Sequence, residues 1–170
     1  MPGHAHGFGP GFFHPFLGLD HLIAMVAVGL WASQLGGRAR WSVPLAFVSF
    51  MVIGGVLGMG GNGISYLEQG IAASVLVLGL LIAAAVRLPL AASMAVVGLF
   101  ALFHGYAHGA EMSAAASGLI YGAGFVMATI SMHLAGLGLG LLAQRFAAAP
   151  CLRYAGAAIA IGGVCFCFAS

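Results

Sequence analysis

The stretch His14-Pro15-Phe16-Leu17-Gly18-Leu19-Asp20-His21-Leu22-Ile23-Ala24-Met25-Val26-Ala27-Val28-Gly29-Leu30-Trp31-Ala32-Ser33-Gln34-Leu35 decides the fold class. From Pro15 to Leu35 it is long enough to cross a hydrocarbon core, which takes about 20 predominantly apolar residues. Pro15 suits a first helical turn, where its missing N–H costs nothing. Gly36-Gly37 ends the run, and Arg38 and Arg40 follow at once. Two histidines and one aspartate stand at its mouth. Ionisable groups are expensive at membrane depth, so a chain that places them there is expected to use them.

The rest of the chain repeats the pattern. It has 170 residues, 62% of them hydrophobic and 5% charged, and no lysine. Soluble domains carry about 25% charged residues. An all-α polytopic membrane bundle is expected, one transmembrane domain over residues 1–170. Breakers divide it into six spans: Pro15 to Leu35, Val43 to Gly60, Gln69 to Val86, Leu88 to Ala107, Ala114 to Leu142, and Leu152 to Ala169. Ser42 is a candidate cap for the second. The fifth is long and is expected to tilt, kink or protrude. Residues 1–13 read as a flexible tail bearing His4 and His6. Met1 to Gly7 has neither a basic segment nor a separate apolar one, so it does not read as a signal peptide.

The arginines orient the bundle. Arg38 and Arg40 follow span one, Arg87 span three, Arg145 and Arg153 span five. All fall on one side, which the positive-inside rule makes cytoplasmic. Both termini then face outward. Asp20, Glu68 and Glu111, the only acidic residues, fall toward the outer side. A net charge of +2 without a basic patch gives no sign of nucleic-acid binding. Cys151, Cys165 and Cys167 form no Cys-x-x-Cys motif and read as packing residues. Gly54-x-x-x-Gly58, Gly118-x-x-x-Gly122 and Gly136-x-x-x-Gly140 permit close helix contact and leave a homo-oligomer open.

Chemistry gathers in two clusters. His14, Asp20 and His21 form the first; His104, His108 and Glu111, within Phe103-His104-Gly105-Tyr106-Ala107-His108-Gly109-Ala110-Glu111, form the second. Imidazole and carboxylate suit a divalent ion such as Ni²⁺, Co²⁺ or Zn²⁺. On a continuous helix His14 and His21 lie about 10 Å apart along the axis. One ion takes both only if the segment bends or His14 precedes the helix. Asp20 is either a ligand or a carboxylate that orients a ligating histidine. His104 and His108, four apart, share a face and are expected to chelate one ion. Accessory metal positions are His4, His6, Glu68 and His133, each with a plainer reading as a tail, a hydrated helix end or a packing residue.

The first-span motif His-Pro-x-x-Gly-x-Asp-His, from His14 to His21, resembles the signature of the HupE/UreJ family. The block from Phe103 to Glu111 is similar to that family's second histidine-rich element. These are small hydrogenase- and urease-associated membrane proteins regarded as nickel or cobalt permeases. The resemblance implies that His14, Asp20, His21, His104, His108 and Glu111 lie on a metal pathway. It implies a non-enzymatic inner-membrane importer of Ni²⁺ or Co²⁺ for hydrogenase or urease maturation. Such an importer has the lipid bilayer as its surroundings and the ion as cargo, with no permanent cofactor.

Two other classes compete with that reading. One is an intramembrane hydrolase, metal-dependent or of rhomboid type with Ser117 and His133. On one helix those two would be about 24 Å apart, beyond hydrogen-bond reach. The other is a non-transporting nickel sensor or docking partner, for which the short loops offer little surface. No Gly-x-x-x-x-Gly-Lys-Ser/Thr phosphate loop occurs, so transport would draw on the ion gradient or the membrane potential.

Overall fold

The computed structural model describes residues 7–61, 65–112, 116–146 and 149–169. These form helices α1 (Phe8–Phe13), α2 (Leu19–Leu35), α3 (Ala39–Gly58), α4 (Leu67–Ala83), α5 (Leu90–Glu111), α6 (Ala116–Arg145) and α7 (Ala149–Ala169). A single 3-10 turn, His14–Phe16, joins α1 to α2. No strand occurs among the described residues.

Four helices are long and apolar enough to cross a membrane: α3, α5, α6 from Gly118, and α7 from Pro150. The segments Phe8–Phe16 and Leu19–Leu35 pass the same test only as a pair, bent by 84°. Helix α4 is apolar but shorter, at 17 residues. The chain is therefore a multi-helix membrane protein with four or five candidate spans by length and composition.

The amino-terminal expectation needs correction. Phe8–Phe13, within the expected flexible tail of residues 1–13, is a helix packed on α6. Gly11 lies against the Tyr121 carbonyl, and Gly124 of α6 lies against the Phe8 carbonyl; a Cβ at either would collide. Small residues on both sides let this short helix seat. His4 and His6 lie outside the described residues. The second span begins earlier than expected, at Ala39, with Arg38 at its N-cap and Arg40 inside its first turn.

The helices associate chiefly in pairs: α3 with α5, α4 with α7, and α2 with α6. Glycine makes the first pair close. Gly54 and Gly58 of α3 lie against the Leu102 and Tyr106 carbonyls, and Gly105 and Gly109 of α5 lie against the Met51 and Gly55 carbonyls. Lipid offers no hydrophobic drive between helices, so such close backbone contact supplies the attraction. Gly29 and Gly136 do the same between α2 and α6. Helix α2 also touches α3, α4 and α7, and its Met25, Val28 and Trp31 are fully buried among Phe47, Val43, Leu78 and Ile82.

The ends of the bundle differ in charge. Side chains tie one end together: Trp31 Nε1 donates to the Val86 carbonyl at 3.0 Å, Gln144 to the Ser33 carbonyl at 2.9 Å, and Arg153 to the Ala83 carbonyl at 2.9 Å. The helix ends carrying Arg38, Arg40, Arg87, Arg145 and Arg153 are at this end. Asp20, Glu68 and Glu111 line a shared vestibule at the other.

Candidate metal pathway

The bend between α1 and α2 builds the first part of the site. Gly18 is extended, at φ −95° and ψ 111°, and breaks the helix between His14 and Asp20. His14 thus leaves the α2 axis and sits beside α5 and α6. Its ring lies 5.0 Å from that of His108, centroid to centroid, and 5.8 Å from that of Tyr121. Its Nε2 is 3.5 Å from a Glu111 carboxylate oxygen. His108 Nδ1 is 4.0 Å from the same oxygen. One ligand atom from each of His14, His108 and Glu111 falls within 4.8 Å of the others. Two imidazoles and a carboxylate at this spacing suit one divalent ion.

Asp20 does not join that trio. Its Oδ1 accepts from the His21 backbone N–H at 2.8 Å and pairs with His21 Nδ1 at 2.9 Å. The carboxylate therefore orients the neighbouring imidazole rather than a distant one. With Nδ1–H donated to Asp20, the lone pair of His21 is on Nε2. That atom is buried and has no partner among the described residues. Carboxylate-to-histidine pairs of this kind set the tautomer and basicity of metal ligands.

A second histidine is set the same way, by a residue the sequence reading missed. Ser74 of α4 is fully buried, and its hydroxyl lies 2.6 Å from the Ile71 carbonyl and 2.9 Å from His104 Nε2. A hydroxyl has one hydrogen. The shorter contact takes it, so Ser74 Oγ accepts from His104 Nε2–H. The lone pair of His104 then sits on Nδ1, again buried and unpartnered.

The four rings form a file. From His14 the sequence runs to His108 at 5.0 Å, to His21 at 4.4 Å, and to His104 at 4.7 Å. Phe125 packs 4.1 Å from His108 and closes one flank. Along α5, His108 faces the outer trio, while His104 lies a turn deeper beside Ser74. The vestibule above the file has a volume of about 510 Å³ and is lined by Asp20, His21, Glu68, His108 and Glu111. Glu68, taken from sequence as an accessory, thus shares a cavity with both clusters. His133 lies apart, deeper in the bundle, against Phe47. Ser74 and Phe47 carried no sequence signal: a serine or a phenylalanine in an apolar run reads as packing.

A helical bundle whose acidic end opens onto a buried file of imidazoles defines a class: a multi-helix membrane protein with its few ionisable groups gathered along one interior path. Residues 1–166 match the family described as HupE / UreJ protein, and the chain belongs to that family. It is 48% identical over 160 residues to Protein HupE of Rhizobium leguminosarum bv. viciae, covering 94% of this chain and 84% of that protein. No solved structure matches the chain.

Proposed function

We propose that the protein is an inner-membrane permease that imports Ni²⁺, and Co²⁺ as a second cargo, from the periplasm for hydrogenase or urease maturation. One observation carries the reading. Buried lone pairs on His21 and His104 continue inward from the His14–His108–Glu111 trio without a partner among the described residues. The carboxylates of Glu68 and Glu111 attract the ion into the vestibule. The trio removes part of its hydration, and the ion passes from His108 to His21 and His104. Imidazole and carboxylate bind firmly enough to admit an ion and loosely enough to release it, as conduction requires. No resident cofactor and no catalytic step are needed. A divalent ion moving inward at −100 mV gains about 4.6 kcal/mol, which suffices for uptake.

The reading includes a topology of six crossings with both termini outside. It counts the bent pair as one span and α4 as another. At about 25 Å, α4 is shorter than a hydrocarbon core of about 30 Å, and local thinning of the bilayer accommodates such a helix.

The Ser74–His104 contact favours a second reading, an intramembrane hydrolase with serine as nucleophile. Against it, the Ser74 hydrogen is committed to Ile71, and His104 Nδ1 has no orienting carboxylate among the described residues. Flux of Ni²⁺ into proteoliposomes decides between them. The permease reading expects saturable flux that falls sharply in Asp20→Asn and His21→Ala variants that still insert. Wild-type protein without flux, or unchanged flux in both variants, overturns it.

A further inference from the structure

His133 stands in α6, only 2% exposed, and neither ring nitrogen has a hydrogen-bond partner among the described residues. In a neutral imidazole one of these atoms is a donor and the other an acceptor. Buried polar atoms are nearly always paired, and an orphan marks a function or an ion. In lipid the demand is stricter, because water is not at hand.

What surrounds His133 points to its role. Its ring stands edge-on to Phe47, centroids 5.1 Å apart and planes at 89°. The same Phe47 ring is 5.7 Å from His104. Phe47 is fully buried on α3 and thus bridges the last histidine of the file and His133. One turn outward on α6, Thr129 is also fully buried, and its hydroxyl meets Met51 Sδ at 3.6 Å. Met51 is one turn outward from Phe47. An imidazole with two unpartnered nitrogens, a hydroxyl and a thioether therefore lie on neighbouring turns of α6 and α3. Along α5, His104 is about 10 Å inside Glu111; along α6, His133 is about 22 Å from Gly118 and about 18 Å from Arg145.

We propose that His133 is a second, deeper stop for the same divalent cation, reached from His104 past the ring of Phe47. The inference rests on the permease reading for its cargo. A proton relay is the weaker use of this residue. It needs a continuous chain of hydrogen bonds, and the ring between the two histidines has no exchangeable hydrogen. A cation needs no such chain, and an aromatic ring attracts it. A stop with a single imidazole holds a Ni²⁺ ion less firmly than the outer trio does. That descending order favours release toward the interior.

The test uses full-length protein in which Cys151, Cys165 and Cys167 are replaced by serine. His133→Cys is added to it, with Leu78→Cys on α4 as the buried control. On adding Co²⁺, sulfur-to-cobalt charge-transfer absorption is expected for His133→Cys and not for Leu78→Cys. In proteoliposomes His133→Leu is expected to lower Ni²⁺ flux by an order of magnitude, while its equilibrium affinity for Ni²⁺ at the outer trio stays within a factor of two. Absence of the cobalt–sulfur band in His133→Cys with the outer trio still binding Co²⁺ overturns the deeper stop. So does wild-type flux in His133→Leu. A band in His133→Cys together with no flux in the wild-type protein leaves the deeper site standing and overturns the permease reading instead.

Discussion

Ser74 and Asp20 do the same job from opposite sides of the file: each fixes where an imidazole keeps its hydrogen. Removing the Ser74 hydroxyl leaves His104 free to adopt either tautomer and leaves its Nε2–H buried without an acceptor. Ser74→Ala is therefore expected to weaken Ni²⁺ affinity by about tenfold or more, and Ser74→Thr to restore most of it. Isothermal titration measures both. Unchanged affinity in Ser74→Ala would mean that Ser74 only packs. A second expectation follows from which residues share an ion. His14→Gln and Glu111→Gln are each expected to weaken binding at the outer trio, with the double variant adding little to the worse single. His14→Gln combined with His104→Gln is expected to lose affinity additively, since those two rings stand at opposite ends of the file. Additive losses for His14 with Glu111 would separate them into independent stops. The six charged and imidazole positions of the two clusters were readable in the sequence, because polar groups in apolar runs stand out. Their grouping was not. The His14–His108–Glu111 trio depends on an 84° bend, which Gly18 permits but does not dictate.

At the level of elements, the glycines flanking the histidines have a packing role. Gly105 and Gly109 leave the surface of α5 bare, and the helix that comes against it is α3. Gly105→Val and Gly109→Val each force a side chain into an α3 carbonyl. Each is expected to cost about 1–3 kcal/mol or more, seen as a lower unfolding temperature in detergent. Gly138 of α6 has open space around its Cβ position. Gly138→Ala is expected to be neutral or stabilising by up to about 1 kcal/mol. Equal losses at all three sites would contradict the α3–α5 contact. Helix α4 ends differently. Ala85 takes φ 51°, while Val86 N–H bonds to the Leu81 carbonyl at 2.9 Å and Ala85 N–H to the Ile82 carbonyl at 3.1 Å. This is a glycine-type helix stop made with alanine. Ala85→Gly removes a left-handed strain of about 1–2 kcal/mol and is expected to raise the unfolding temperature. Most helix positions followed from apolar run length and breakers. Phe8–Phe13 did not, and fell within the stretch expected to be a flexible tail. Its helix exists through its contact with Tyr121 and Gly124, a tertiary effect that local propensity does not contain.

For the whole molecule, the separation of charge sets a topology that labelling can check. In a cysteine-free background, Ser65→Cys at the acidic end is expected to react with an impermeant thiol reagent added to intact spheroplasts. Gly37→Cys at the arginine end is expected to react only after the membrane is opened. Both residues are exposed, so access rather than burial decides the outcome. Reaction of Gly37→Cys in intact cells would invert the bundle and the direction of transport with it. The sequence told the two ends apart because five arginines fall in alternate connections. It did not tell that the three carboxylates line one vestibule, which needs the helices in place.

The same separation has a consequence for any ion moving along the bundle axis. With carboxylates at one mouth and guanidinium groups at the other, the two directions of travel are not equivalent. A cation approaching the acidic mouth is concentrated there, and one approaching the opposite mouth is depleted by like charge. The fixed charges lean the energy profile as a diode leans a current. Under the permease reading the bundle is expected to pass cations more readily inward than outward, and salt high enough to screen both mouths is expected to reduce that asymmetry.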